Sequence, residues 1–398
     1  MITASEISNM VEQNREEAIR CLQEVIKTPS VTGEEGPVSN VLEAYLKQAG
    51  LDVERVGCEK NRDCLIAEWS GTQPGKRFIF NGHMDVFPPP QGIGAKEYDP
   101  WGAQIKGGFM YGRGTSDMKG GDVAALLAVI FLRRMGFDPK GSVVLSFMVD
   151  EENGGEKGVK YLISKNLLNG DFGLCMEPTG GKIVNKHWGI LRMTVCYTAI
   201  PHHVGQPGEK PDALEKAVTA IHRLYALNKA LNQDRRTASG VPCLTVTIIN
   251  AGNTPNVSAG EAKFVVDRRI ALHEDPEEAK AQLLKIFEDL KAANPEYEYT
   301  YQITSDRPPM NTKEEDSFVQ LVARSYEQTT GKMPQFAELP GGSDAASLHA
   351  AYGYPIPLLG SAETFGDYGS GGNKERTNME DWLTSIKYYM MTVVNALS

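Results

Sequence analysis

Apolar runs of strand length that stop abruptly on ionisable residues set the tightest limit on what this chain can fold into. Phe78-Ile79-Phe80 leads into Asn81-Gly82-His83-Met84-Asp85. Val143-Val144-Leu145-Ser146-Phe147-Met148-Val149 leads into Asp150-Glu151-Glu152, and Phe172-Gly173-Leu174-Cys175-Met176 into Glu177-Pro178. Short continuous apolar runs suit strands covered on both faces, and a run of helical length, residues 120–135, lies between the first two. Strands alternating with helices predict an α/β sheet, at least partly parallel, with helices on both sides. Ligands of open α/β sheets gather at the carboxyl ends of the strands, which is where this histidine and these acids stand.

The rest of the chain fixes the organisation. Further strands are predicted at residues 51–56 and 64–69, and amphipathic helices at the N-terminus before Pro29 and again from Val38 to about Gly50. After Pro178 the texture changes: residues 183–199 alternate like a strand with one exposed face, 244–249 and 262–270 read as strands, and 212–231 and 276–293 as helices. Helical patterns return at 314–330, 343–351 and 379–397. The division this predicts is an α/β domain of residues 1–183 and 304–398, containing mostly parallel strands, interrupted by an inserted α+β domain, 184–303. A length of 398 residues accommodates two or three domains.

Charge and cysteine usage exclude some classes. With 41 basic and 51 acidic residues the formal charge is -10, so nucleic acid and anionic membrane surfaces are disfavoured partners. No segment approaches the roughly 20 apolar residues needed to span a bilayer, and the polar N-terminus does not resemble a secretory signal. Six scattered cysteines without C-x-x-C spacing suit reduced thiols, which together predict a cytoplasmic protein.

Four clusters carry the chemistry. His83 and Asp85, two apart on extended backbone, point the same way, so one ring nitrogen can meet the aspartate while the other binds a metal. A structural histidine is the alternative reading. In Tyr111-Gly112-Arg113-Gly114-Thr115-Ser116-Asp117-Met118-Lys119-Gly120-Gly121, Asp117 stands just before a helix, as a ligand or as its N-cap. Asp150, Glu151 and Glu152 repel one another at a strand end unless a cation or a shared proton compensates, the alternative being a solvated loop. Pro178 restricts Glu177 to extended geometry. One carboxylate-rich site holding divalent metal accounts for all four clusters together, and a free carboxylate beside a metal-held water is hydrolytic chemistry.

The order and spacing of NGHMDVFP, YGRGTSDMKGG, DEENGG and MEPT resemble the M20 family of metallopeptidases and deacylases over nearly the whole chain. The resemblance implies two divalent metal ions per chain, of zinc, manganese or cobalt. His83 and Glu177 would hold one, Glu152 the other, and Asp117 would bridge them. Asp85 would orient His83, Glu151 would act as general base, and Asp117-Met118 is a candidate cis peptide. The inserted domain resembles a lid and dimerisation domain, implying a homodimer, with His203 reaching a neighbouring active site to stabilise the oxyanion. Asn256, Arg269, Gly342 and Ser343 match substrate-contacting positions. A surface residue, a turn amide and a strand-end salt bridge are the alternatives for His203, Asn256 and Arg269.

Two departures from the family pattern stand out. Its final histidine ligand is missing, since no histidine follows position 349, and Glu375 is read as taking that place, with a solvated loop acid as the alternative. A carboxylate there shifts preference from zinc toward harder ions such as manganese. Ala346 stands where many relatives carry an arginine that grips the substrate carboxylate. The function implied is hydrolysis of an amide C–N bond in a small N-acyl amino acid or related amide. Dipeptidase or carboxypeptidase activity, attack on an aromatic amine, or a non-catalytic homologue lacking one metal are the alternatives.

Overall fold

The computed structural model describes residues 2–89, 98–206, 210–233 and 240–398. It divides into two compact units, one made of Met1–Asn185, Thr312–Ala337 and Ser343–Ser398, the other of Lys186–Asn311 and Glu338–Gly342.

The first unit is built on a five-stranded mixed sheet with Val53–Glu59 at one edge, followed by Arg62–Ser70, Lys140–Met148, Gln73–His83 and Phe172–Cys175. The last three run parallel, and the register pairs His83 with Met148 and Asn81 with Cys175. Parallel pairing in that register brings three carboxyl ends side by side, so the residues that follow them, 84–85, 149–152 and 176–177, share one edge. The α/β reading of this unit is therefore shown, with an antiparallel pair added at one side.

Helix Lys119–Arg134 is buried along almost its whole length. Alanine and leucine favour the helix, its apolar side chains let neighbours pack from every side, and Arg133 and Arg134 in its last turn complement its dipole. Its first turn needs glycine. A Cβ on Gly120 would lie 2.3 Å from the Thr115 carbonyl oxygen, and one on Gly121 2.4 Å from that of Met176. The helix thus starts in direct contact with both the Asp117 turn and the strand end before Glu177. Helix Met379–Leu397 packs on it and on the sheet, where Trp382 Nε1 donates to the Gly120 carbonyl at 2.8 Å and the Tyr389 ring meets Phe80.

The N-terminal helical run is two helices, Ala4–Gln13 and Arg15–Lys27, broken at Asn14. Residues 183–199 likewise form two strands, Ile183–His187 and Gly189–Thr198.

The second unit carries a four-stranded antiparallel sheet in the order Cys243–Ala251, Glu261–Ile270, Gly189–Thr198, Tyr299–Arg307. Helices Ala213–Leu231 and Pro276–Ala293 share an apolar core with it that includes Tyr197, Phe264, Leu283 and Phe287. Both helices begin on aspartates, Asp212 and Asp275, whose side chains accept first-turn amides. Strand Tyr299–Arg307 pairs with Gly189–Thr198, so this unit runs to Asn311, past the boundary read at 303. No helix among the described residues is long and apolar enough to cross a membrane. The six cysteines are free thiols.

Candidate metal centre

At the shared strand ends, one ligand atom from each of His83, Asp117 and Glu177 lies within 4.8 Å of the others, and all three residues are buried. His83 Nε2 is 3.1 Å from Asp117 Oδ1, 3.8 Å from Glu177 Oε1 and 3.9 Å from Glu151 Oε2. One imidazole nitrogen and two carboxylate oxygens at this spacing fit a divalent ion, bound at about 2 Å from each donor. The opposite ring nitrogen, Nδ1, is 2.8 Å from the backbone oxygen of Asp85 and 3.6 Å from its carboxylate. The close contact expected between Asp85 and His83 thus runs through the backbone.

The Asp85 carboxylate holds the acidic turn instead. It accepts the amides of Glu151 at 3.0 Å and Glu152 at 3.2 Å, and the Thr32 hydroxyl at 2.8 Å. The turn starts from Asp150, whose backbone is left-handed at φ 67°. Asp150 is neutralised by Arg62 at 3.1 Å, and the same guanidinium binds Glu35 at 2.7 Å. The three consecutive acids therefore divide, one onto Arg62 and two toward the His83 side.

Electrostatics mark the site as cation-seeking. Burial raises the carboxyls of Glu177 and Glu152 well above the carboxylate range, and the Asp117 charge raises them further. For His83 burial acts to lower the pKa, but the Asp117 hydrogen bond and the charges of Glu151 and Glu177 outweigh it and raise it well above 6.5. The same His83 contact outweighs burial at Asp117 and lowers its carboxyl. Asp85 is pushed up to about 6, chiefly by burial. A divalent ion among these groups reverses the repulsion that raises them.

Residues 79–395 match the model of peptidase family M20/M25/M40. The chain belongs to that family. It is similar to the succinyl-diaminopimelate desuccinylase of Dinoroseobacter shibae, 31% identical over 335 residues, 81% of this chain and 85% of that protein. The enzyme of the same name from Methylorubrum populi is 32% identical over 338 residues, 82% and 86% of the two chains. Human carnosine dipeptidase 1 shares its fold with a TM-score of 0.78 at 16% identity over 99% of both chains. The di-peptidase Dug1p of Saccharomyces cerevisiae does so with a TM-score of 0.80 at 14% identity over 99% of this chain and 98% of that one. As an M20 family member the protein is a metal-dependent hydrolase of amide bonds.

Glu375 has a different place from the one read in the sequence. It is buried, and its Oε1 accepts the amides of Gly114, Ser116 and Asp117 at 2.9, 3.0 and 3.1 Å, while Oε2 binds Arg113 at 2.6 Å. With both oxygens engaged by four donors, it lies outside the His83, Asp117, Glu177 group and serves as the keel of the turn that presents Asp117. The Asp117-Met118 peptide in that turn is cis.

Ser343 is the N-cap residue of helix Asp344–Tyr352, and Ala346 is buried in that helix at 1% exposure. His203, Asn256, Arg269 and Gly342 belong to the second unit. His203 is exposed and its Nδ1 accepts the Gly205 amide at 3.1 Å, which leaves Nε2 carrying the proton. The neighbouring His202 is tied to Ser258 at 2.9 Å. Asn256 is exposed, and Arg269 makes the strand-end salt bridge to Asp267 at 2.7 Å.

Sequence reasoning gave no role to Lys119. It is wholly buried, donates to the Val25 and Thr28 carbonyls at the end of helix Arg15–Lys27, and burial pushes its amine down to about 7. It passed over Ser370 too, whose hydroxyl donates to Asp117 Oδ2. Its position in a glycine-rich stretch, residues 361–372, was the only available signal.

Proposed function

We propose that this hydrolase removes the acyl group from a small N-acyl amino acid, using two divalent ions and Glu151 as general base. The observation that carries the reading is the convergence of Glu151 on the group formed by His83, Asp117 and Glu177, its Oε2 3.9 Å from His83 Nε2. When bound, divalent metal supplies Lewis acidity to the scissile carbonyl and to the attacking water. Glu151 takes the proton of that water as its oxygen joins the carbonyl carbon, and hands it to the departing nitrogen as the C–N bond breaks. Asp85 keeps Glu151 in position through the backbone amide. The Nε2–H of His203 is assigned to the oxyanion, the role that the family resemblance gives it.

Similarity to desuccinylases supports deacylation of an amino acid. Ala346 supports a different grip on the acyl group, because a buried methyl offers no bidentate partner to a terminal carboxylate. The exposed Phe365, 62% accessible on the loop 361–372, favours a bulkier or less polar acyl group. The test is a panel of N-acetyl, N-succinyl and N-aroyl amino acids, dipeptides and aromatic amides, assayed with zinc, manganese or cobalt. Release of amino acid from the N-acyl compounds is expected. Hydrolysis of dipeptides alone would replace deacylation by peptidase activity.

We further infer a cytoplasmic homodimer assembled through the second unit. Strand Cys243–Ala251 is an edge strand among the described residues, and Ile248 and Ile249 on it are 52% and 46% exposed. Val218 and Tyr225 of helix Ala213–Leu231 are exposed as well. An apolar edge of this kind is covered by a second copy in many antiparallel sheets. Ile249→Lys is expected to halve the mass measured by light scattering, and an unchanged mass would reject this interface.

A further inference from the structure

We propose that the bond between His202 and Ser258 is a register lock, which makes His203 and not its neighbour the imidazole offered to the oxyanion. The proposal rests on the oxyanion role assigned to His203 above and deepens it by naming the two residues that position it.

The two adjacent histidines lie on a segment of the second unit that continues strand Gly189–Thr198 beside the residues preceding strand Glu261–Ile270. Thr198 stands opposite Glu261, and the Ala199 amide donates to the Gly260 carbonyl at 3.0 Å. Further along, the Ser258 amide donates to the His202 carbonyl at 2.9 Å, the Val204 amide to the Asn256 carbonyl at 3.1 Å, and His203 stands opposite Val257. Ile200 and Pro201 lie between Ala199 and His202, but only Ala259 lies between Ser258 and Gly260. The pairing therefore slips by one residue at a two-against-one bulge, where Ile200 is 90% exposed.

The slip decides which histidine is presented. Side chains alternate along an extended segment, and a one-residue shift of register turns each of them to the other face. Had the pairing of Thr198 with Glu261 run on unbroken, His202 would stand opposite Val257, in the place that His203 occupies.

His202 and Ser258 hold the shifted register at its first step. The Ser258 hydroxyl accepts the His202 amide at 2.9 Å and is 2.9 Å from His202 Nδ1. With the Ser258 amide on the His202 carbonyl, three hydrogen bonds tie these two residues together. In the unbroken register His202 would meet Val257, which has no polar side-chain atom, and both bonds to the hydroxyl would be lost. The surroundings add little support of their own, since Pro201 has no amide to donate and Pro201, Val204 and Gly205 are exposed. Oxyanion stabilisation depends on where the donor stands before the charge forms, so a segment free to pair in either register would spread the Nε2–H of His203 over positions of which one is productive.

The test combines hydrogen exchange with steady-state kinetics on the full-length, metal-loaded protein, using the compound of the panel above that wild type hydrolyses fastest. In His202→Ala and Ser258→Ala the amides of Val204 and Ser258, the two rungs beyond the bulge, should exchange at least about tenfold faster. In both variants kcat should fall about tenfold or more with KM within about threefold, as for a donor that acts in the transition state. His203→Ala should lower kcat about a hundredfold or more, and adding Ser258→Ala to it should cost nothing further, because Ser258 acts only through His203. His202→Asn, whose amide can meet the Ser258 hydroxyl whichever partner carries the proton, should restore exchange and kcat to within about threefold of wild type. Unchanged exchange in Ser258→Ala, additive losses in the double variant, or no recovery in His202→Asn would each overturn the lock. Wild-type kcat in His203→Ala would instead overturn the oxyanion reading beneath it, a failure told apart because the exchange of Val204 reports the lock without any turnover.

Discussion

Asp85 holds Glu151 by the backbone, its Oδ1 accepting the Glu151 amide at 3.0 Å. Removing the aspartate side chain leaves the amides of Glu151 and Glu152 without their acceptor in a buried turn, at about 1–3 kcal/mol each. The contact to His83 comes from the Asp85 backbone and survives. Asp85→Ala is therefore expected to lower kcat by about a hundredfold, as for a displaced general base, while the tight metal constant changes by less than about tenfold. An equal loss in both would mean that the Asp85 carboxylate acts on His83 instead.

Metal binding should release protons. The carboxyls of Glu177 and Glu152 and the imidazole of His83 all have raised pKa values in the metal-free chain, so they keep protons to higher pH than free side chains do. An ion needs them deprotonated, so affinity rises with pH and falls as pH drops through the raised pKa values. Calorimetry in buffers of differing ionisation enthalpy should show about one or more protons released per ion at pH 7. Uptake, or no net exchange, would contradict this electrostatic account.

Glu375 separates a ligand from a support. Its amide isostere keeps one oxygen for the three turn amides but loses the ion pair with Arg113. Glu375→Gln should cost about 3–5 kcal/mol of stability in urea, because Arg113 stays buried without its counter-charge. The number of ions bound at saturation should not change. A variant that keeps its stability and binds one ion fewer would restore the ligand reading.

What the sequence made legible was local. Apolar runs such as 143–149 announce strands, and the residues that follow them announce the site, because the parallel register of Gln73–His83 with its neighbours brings their ends together. Long-range pairings left no trace in local pattern. Arg113 and Glu375 are 262 positions apart, and a Lys-Glu-Arg run in a glycine-rich region gives no sign that its acid is buried under a distant turn. Ser370 was hidden for the same reason, since a loop serine gains meaning only from the carboxylate it meets. The break at Asn14 was missed because the apolar spacing continues on both sides of it.

The compensation of the acidic turn leads to the last prediction. Three consecutive acids at a strand end call for a nearby cation, and Arg62 meets Asp150 from 88 positions earlier in the chain, while also binding Glu35 through Nε at 2.9 Å and the terminal nitrogen at 2.7 Å. Glu35 is fully buried and Asp150 is 4% exposed. Arg62→Met keeps the length of the side chain but leaves two buried carboxylates facing each other, and breaking a buried pair in this way costs about 3–5 kcal/mol. The denaturation midpoint should fall accordingly at pH 7. Arg62→Lys should recover part of the loss, since a single ammonium supplies the charge without the two-pronged contact to Glu35. A midpoint for Arg62→Met equal to wild type at pH 7 would show that the acidic turn is neutralised by something other than Arg62.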